Sequence, residues 1–110
     1  MPVNTPDAFQ GIDRLYGDHA YRRLSQKRVY VVGVGGVGSW VVESLARSGL
    51  GEIRMADLDD LCVTNTNRQI HALTTTIGQS KIEVMAARCR EINPEIQVRC
   101  DHAFVTDQTV

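Results

Sequence analysis

The stretch Val29-Tyr30-Val31-Val32-Gly33-Val34-Gly35-Gly36-Val37-Gly38-Ser39 decides the fold. A β-branched apolar run passes into a glycine-rich turn, and the turn opens a helical pattern carrying Trp40, Val41, Val42, Leu45 and Ala46. Gly33, Gly35 and Gly38 keep the spacing G-x-G-x-x-G, in which glycines let backbone amides and the following helix N-terminus close on a phosphate. The helix stops at Ser48-Gly49-Leu50-Gly51, where glycine supplies a left-handed cap, and Glu52 to Ala56 follows as a second strand. Asp57, about 20 residues past the turn, ends that strand where ligands bind in open parallel sheets.

Outward from this unit, Arg28 to Val32 reads as apolar on both faces, as a central parallel strand should be. Met1 to about Phe9 is expected to be mobile and order to begin near Ile12, so residues 1–11 are a flexible terminus. Leu15, Ala20 and Leu24 share one face of a short helix from about Asp18 to Gln26. Downstream, Thr64-Asn65-Thr66-Asn67 is rich in capping side chains and predicts a short helix over Arg68 to Leu73. A longer helix runs from about Ser80 to Ile92 on an apolar stripe of Ile82, Met85, Ala86 and Cys89, and Asn93-Pro94 ends it. Ile96 to Cys100 is a third strand, and Phe104 to Val110 begins a further element.

The order predicts an α/β fold: the N-terminal mononucleotide-binding half, β-α-β-α-β, of a Rossmann-like doubly wound parallel sheet, with strands in the order third, second, first. The first strand is then an exposed edge. Residues 12–110 therefore read as the N-terminal half of a larger nucleotide-binding domain, or as a chain that completes its sheet by oligomerising. Trp40 is expected in the core.

With 110 residues and 43% hydrophobic composition the chain has material for one core but not for two. A net charge of −1 excludes a long-range field that would draw the whole chain onto nucleic acid or an anionic membrane. The basic cluster Arg22, Arg23, Lys27, Arg28 reads as a solvated helix face, with a phosphate-contacting patch as the alternative. Cys62, Cys89 and Cys100 are odd in number and lack C-x-x-C spacing, which points to neither a disulfide framework nor a metal site. No apolar run approaches about 18 residues and no signal peptide is recognisable, so the cytoplasm is the expected location and no integral membrane segment is expected.

Gly36, an extra glycine inside the turn, removes a side chain that would stand between the backbone and a bulky triphosphate, which favours ATP over NAD. Asp57 is placed to accept hydrogen bonds from a nucleotide ribose. Asp59 and Asp60 either sit near a phosphate-bound cation or are turn-forming surface acids, and no metal ligand is assigned. Arg68 and Lys81 read by spacing alone as surface residues; the sharper reading is that they hold the β- and γ-phosphates and stabilise charge as pyrophosphate leaves. Cys62, between Leu61 and Val63, is read as filling apolar space in preference to a nucleophile. His19, His71 and His102 are read as packed or exposed in preference to catalytic. Two further classes stay open: a nicotinamide or flavin oxidoreductase fragment, for which the glycine turn and Asp57 suffice, and a non-catalytic dimerising fragment.

Gly33 to Gly38, Asp57-Leu58-Asp59, Asn65-x-x-Arg68-Gln69 and Lys81, closed by Ile92-Asn93-Pro94, resemble the ATP-dependent adenylating family that includes ubiquitin-activating enzymes and the bacterial activators of thiamine and molybdopterin sulfur carriers. The match spans about Arg14 to Asp101. Within the family, Arg14-Leu15-Tyr16-Gly17 and the run from Cys62 to Leu73 are similar to the tRNA threonylcarbamoyladenosine dehydratase branch. The resemblance implies that Gly36, Asp57, Asn65, Arg68 and Lys81 contact ATP, with Arg68 and Lys81 assisting attack of a carboxylate on the α-phosphate. It also implies a homodimer in which Arg14 reaches the neighbouring subunit's site, and a magnesium ion whose aspartate ligand lies after a fourth strand, beyond Val110. The implied acceptor is modified tRNA, or alternatively the C-terminus of a ubiquitin-like sulfur carrier.

Overall fold

In the computed structural model, which describes residues 5–105, strands β1 (Arg28–Val32), β2 (Glu52–Ala56) and β3 (Gln97–Asp101) pair in parallel in the order β1-β2-β3. The period-two pleat sends Val29, Val31, Ile53, Met55, Val98 and Cys100 to one face, where helices α3 (Gly38–Arg47) and α4 (Lys81–Ile92) cover them. Ile53, Met55, Ile82 and Met85 are fully buried there, and each such side chain contributes roughly 1.5 to 3 kcal/mol by leaving water. Glu43 of α3 ties the two helices together: its carboxylate accepts from Arg88 Nε at 2.5 Å and from Arg47 Nε at 2.6 Å. Burial alone would raise the Glu43 pKa, but the two guanidinium groups outweigh it and hold the carboxyl below its usual range.

The opposite sheet face is polar. Tyr30, Arg54 and Arg99 stand side by side in register. Tyr30 Oη and Arg54 Nε both donate to Asp101 Oδ2, at 3.0 and 2.7 Å, and the Arg54 guanidinium lies 4.6 Å from the Tyr30 ring centre. Tyr30 and Val32 are 41% and 56% exposed, so β1 is not buried on both faces as its apolar run suggested. Both crossover helices lie on one side of an edge strand, which leaves the other side of β1 to solvent.

At the amino ends of the strands sit α1 (Gln10–Tyr16) and α2 (Ala20–Leu24). The helix expected over Asp18 to Gln26 is shorter because His19 takes a left-handed φ of 68°, and α1 was not foreseen. Asp13 secures the pair, accepting from Thr5 Oγ1 at 2.7 Å and from the Tyr21 amide at 2.9 Å. Leu15 lies on α1, 72% exposed, not on a common buried face with Ala20 and Leu24. Within the terminus read as loose, Asp7–Phe9 forms a 3-10 turn, and Phe9 is buried with its ring stacked 5.5 Å from Tyr21. Of the element expected from Phe104 to Val110, residues 106–110 lie outside the described residues.

Candidate functional site

The site lies at the carboxyl ends of β1 and β2, where the glycine turn leaves the sheet. Gly33 takes φ +86°, a left-handed value that suits glycine, and its amide extends the ladder to the Ala56 carbonyl at 2.8 Å. Gly38 is required for packing, since a Cβ there would overlap the Gly33 carbonyl oxygen. Gly35 and Gly36 are different: neither has positive φ, and a Cβ at either would meet only the Gln69 or the Arg68 side chain, at 3.7 Å. The Arg68 side chain therefore lies directly over Gly36. At the start of α3 the N-cap is Val37, which offers no capping side chain, so the partial positive charge of the helix N-terminus is left for an anion.

Asp57 is buried, and both its oxygens are engaged. Oδ2 accepts the Val34 amide at 2.8 Å and Oδ1 the Asp59 amide at 2.8 Å. The acid thus pins the glycine turn to the end of β2, a task its sequence position did not reveal. Asp57, Asp59, Gly33 and Phe104 line a cavity of about 180 Å³.

The next segment brings Asn65 and Arg68 alongside. A 3-10 turn at Val63–Asn67 stands where the capping-rich sequence predicted only the approach to a helix over Arg68 to Leu73. Asn65 is the reason: it does not cap a following helix but folds back, its Oδ1 accepting the Cys62 amide at 2.8 Å. Cys62 consequently begins a turn and is exposed, not packed in apolar space as expected. The Arg68 guanidinium donates from Nη1 to the Thr64 carbonyl at 3.1 Å and to Asn67 Oδ1 at 3.0 Å, while its backbone carbonyl accepts from Trp40 Nε1 at 2.8 Å. Trp40 is half exposed on the first turn of α3, which corrects its assignment to the core. Its indole N–H needs an acceptor, and Arg68 provides one outside the sheet-facing side of the helix.

Lys81 begins α4, which Ser80 caps by accepting the Glu83 amide at 3.4 Å. The Lys81 side chain is 9% exposed, and its Nζ lies 3.8 Å from Oδ2 of the exposed Asp59. A nearly buried ammonium with so distant a carboxylate is under-compensated, and it raises the local potential toward anions.

His71 and Gln69 carry buried functions that sequence reasoning did not assign. His71 is 1% exposed, and its Nε2 lies 2.8 Å from the Val34 carbonyl. The two peptide groups flanking the Val34 Cα are thereby both held, the N–H by Asp57 and the C=O by His71. Desolvation, which outweighs the Val34 bond, holds the His71 pKa below its ordinary value, with nearby Lys81 adding to the effect. Among the described residues, the buried Ser39 Oγ, Gln69 Oε1 and His71 Nδ1 have no hydrogen-bond partner. The signal for this layer was the polar run Gln69 and His71 inside a segment otherwise able to bury Ile70 and Ala72.

Arg14 is exposed on α1, bonded to Gln10 Oε1 at 3.4 Å. Because α1 packs on α2 at the amino end of the sheet, one chain does not bring Arg14 to the glycine turn. Among the described residues no group of three or more His, Cys, Asp or Glu side chains is arranged to hold a metal ion. Asp57, with one amide on each oxygen, is not part of such a group. No described helix is long and apolar enough to cross a membrane.

Residues 10–110 match the ThiF family. The chain is 54% identical over 102 residues to the tRNA threonylcarbamoyladenosine dehydratase of Escherichia coli (strain K12), covering 93% of this chain and 38% of that protein. It is 50% identical over 105 residues to the enzyme of the same name from Haemophilus influenzae, covering 96% of this chain and 40% of that protein. The crystal structure of the Escherichia coli dehydratase in complex with ATP superposes with a TM-score of 0.89 at 53% identity, covering 94% of this chain and 44% of that one. The chain thus spans about two fifths of the length of the curated relatives it matches.

Proposed function

The chain belongs to the ThiF family, and from that premise we propose that it carries the ATP half-site of an enzyme that adenylates a carboxylate, in the cyclising dehydration of threonylcarbamoyladenosine in tRNA. The observation that carries this reading is the placement of Arg68 over Gly36, which puts a cation above the glycine turn. The ATP complex of a relative 53% identical supports the nucleotide, and the names of the relatives support the acceptor.

In this reading the phosphates lie on the Gly33–Gly38 turn against the uncapped start of α3. Arg68 and Lys81 hold the β- and γ-phosphates, the guanidinium exchanging its contacts with Thr64 and Asn67 for phosphate oxygens. The nucleoside enters the cavity beside Asp57, whose oxygens keep a second lone pair each for ribose hydroxyls, and Asn65 offers its side-chain NH2. A carboxylate oxygen of the acceptor attacks the α-phosphorus, the bond to the bridging oxygen breaks, and pyrophosphate departs with its charge held by Arg68 and Lys81. The product is an acyl-adenylate. An internal nucleophile of the modified adenosine then displaces AMP and closes a ring, with net loss of water. Magnesium, when bound, neutralises phosphate charge; its ligand is expected outside this chain. A homodimer would supply Arg14 from the neighbouring subunit.

ATP affinity of the wild-type chain against Arg68→Ala and Lys81→Ala tests the assignment: both variants are expected to bind more weakly, and unchanged affinity in both would overturn it. In a chain spanning the relatives' whole length, ATP–pyrophosphate exchange should be stimulated by modified tRNA. Stimulation by a ubiquitin-like carrier protein in its place would reassign the acceptor.

A further inference from the structure

Trp40 is the chain's only tryptophan, and it stands half exposed on the first turn of α3, where burial alone does not account for an indole. What engages it is the hydrogen bond from Nε1 to the Arg68 backbone carbonyl, 2.8 Å long and spanning 28 residues. Arg68 is the residue at which the Val63–Asn67 turn ends, with φ −150° and ψ −7°, outside both helix and strand. On its amino side its backbone is held by its own amide, which donates to the Asn65 carbonyl at 3.2 Å. On its carboxyl side the Trp40 bond connects it to a regular element, and that element is the helix whose start forms the glycine turn.

The two kinds of contact at Arg68 differ in consequence. The guanidinium bonds to Thr64 O and Asn67 Oδ1 are local and exposed, so an arriving phosphate can take them over. The bond from Trp40 engages the backbone carbonyl, not the guanidinium, so a phosphate taken up by the side chain leaves it in place. An arginine on a loop without such a bond would have to be ordered when ligand binds, and that ordering lowers affinity. We propose that Trp40 is a positioning residue whose indole N–H fixes the Arg68 backbone above Gly36, so that the guanidinium is held ready for the phosphates. This rests on the ATP-site reading and adds to it a residue that touches no ligand.

The test is a double-mutant cycle read by ATP affinity and thermal midpoint, with Trp40→Phe, Arg68→Ala and the double variant of this chain. Trp40→Phe is expected to weaken ATP binding about fivefold, the size of one neutral hydrogen bond, with the unliganded chain still folded and its thermal midpoint lowered by no more than about 8 °C. In the Arg68→Ala background the same substitution is expected to change ATP affinity less than about twofold, because the group it positions is gone. If Trp40→Phe disturbs folding, replacement of Trp40 by benzothienylalanine, which exchanges only the indole N–H for sulfur, measures the same quantity on an isosteric ring. An unchanged ATP affinity in either Trp40 variant, or an equal loss with and without the Arg68 side chain, overturns the positioning role. Arg68→Ala binding ATP as wild type does would instead overturn the ATP-site reading on which the role depends.

Discussion

The glycines at the two ends of the sheet are alike in kind but not in cause. At the amino end a Cβ on Gly49 would stand 2.7 Å from the Tyr21 ring, and one on Gly51 would overlap the Ser25 carbonyl oxygen. At the carboxyl end Gly35 and Gly36 have neither positive φ nor a backbone neighbour, and a Cβ on either meets only a side chain at ordinary contact distance. The first pair are glycine because the protein fills the space. The second pair have no such reason among the described residues, and the proposed ATP site supplies one. Other features divide the same way: aromatic stacking of Phe9 on Tyr21 at one end, an uncapped helix start, an under-compensated Lys81 and partnerless buried polar atoms at the other.

That division can be broken most severely at the packed end. Gly51→Ala should cost about 3 kcal/mol of folding stability, because the clash is with backbone and cannot be relieved by a rotamer; urea unfolding measures it. At the open end Arg68→Ala should cost about 2 kcal/mol of ATP binding, roughly thirtyfold, as loss of a charge-assisted contact does, with the unfolding free energy little changed because the side chain is exposed. Gly36→Ala is the sharper comparison: calorimetric titration should show ATP binding weakened about tenfold, while unfolding free energy stays within about 0.5 kcal/mol of wild type. Equal losses of stability in Gly36→Ala and Gly51→Ala would erase the distinction.

The smallest effect concerns pH. The His71 pKa is depressed in the folded chain, so its contribution to stability is fully present above the unfolded value of 6.5 and is lost as pH falls through the folded value. Unfolding free energy should decline as pH is lowered from about 7 toward 5, and His71→Gln, which keeps a donor for the Val34 carbonyl, should flatten that decline.

How much of this was legible in the sequence follows from how local each signal is. β1 and β2 fall where the β-branched and apolar runs placed them, and the glycine spacing located the turn, because a pleat and a tight turn are specified by neighbouring residues. The single face of burial was not legible, since Tyr30 and Val32 read as core until the helices are seen to lie on one side. Trp40 was misplaced for a related reason: its apolar surface pointed to the core, while its N–H had a partner 28 residues away. Cys62 and Asn65 were misread because capping chemistry works in two directions, and only the fold shows that Asn65 bonds back to Cys62. The assignment of Arg68 and Lys81 to the candidate site came from family resemblance, not from spacing. The place of Arg68 over Gly36 depends on the 3-10 turn at Val63–Asn67, and that of Lys81 on the backbone bond from Lys81 N to the Asp59 carbonyl at 3.1 Å.

The central claim, that the open glycine turn is an ATP site, is tested most directly by calorimetric titration of this chain with ATP and, separately, with NADH. The account predicts saturable binding of ATP at one site and weaker binding of NADH, because it assigns Arg68 and Lys81 to the phosphates of a triphosphate. NADH binding as tightly as ATP or more tightly, or a chain that binds neither, would contradict it.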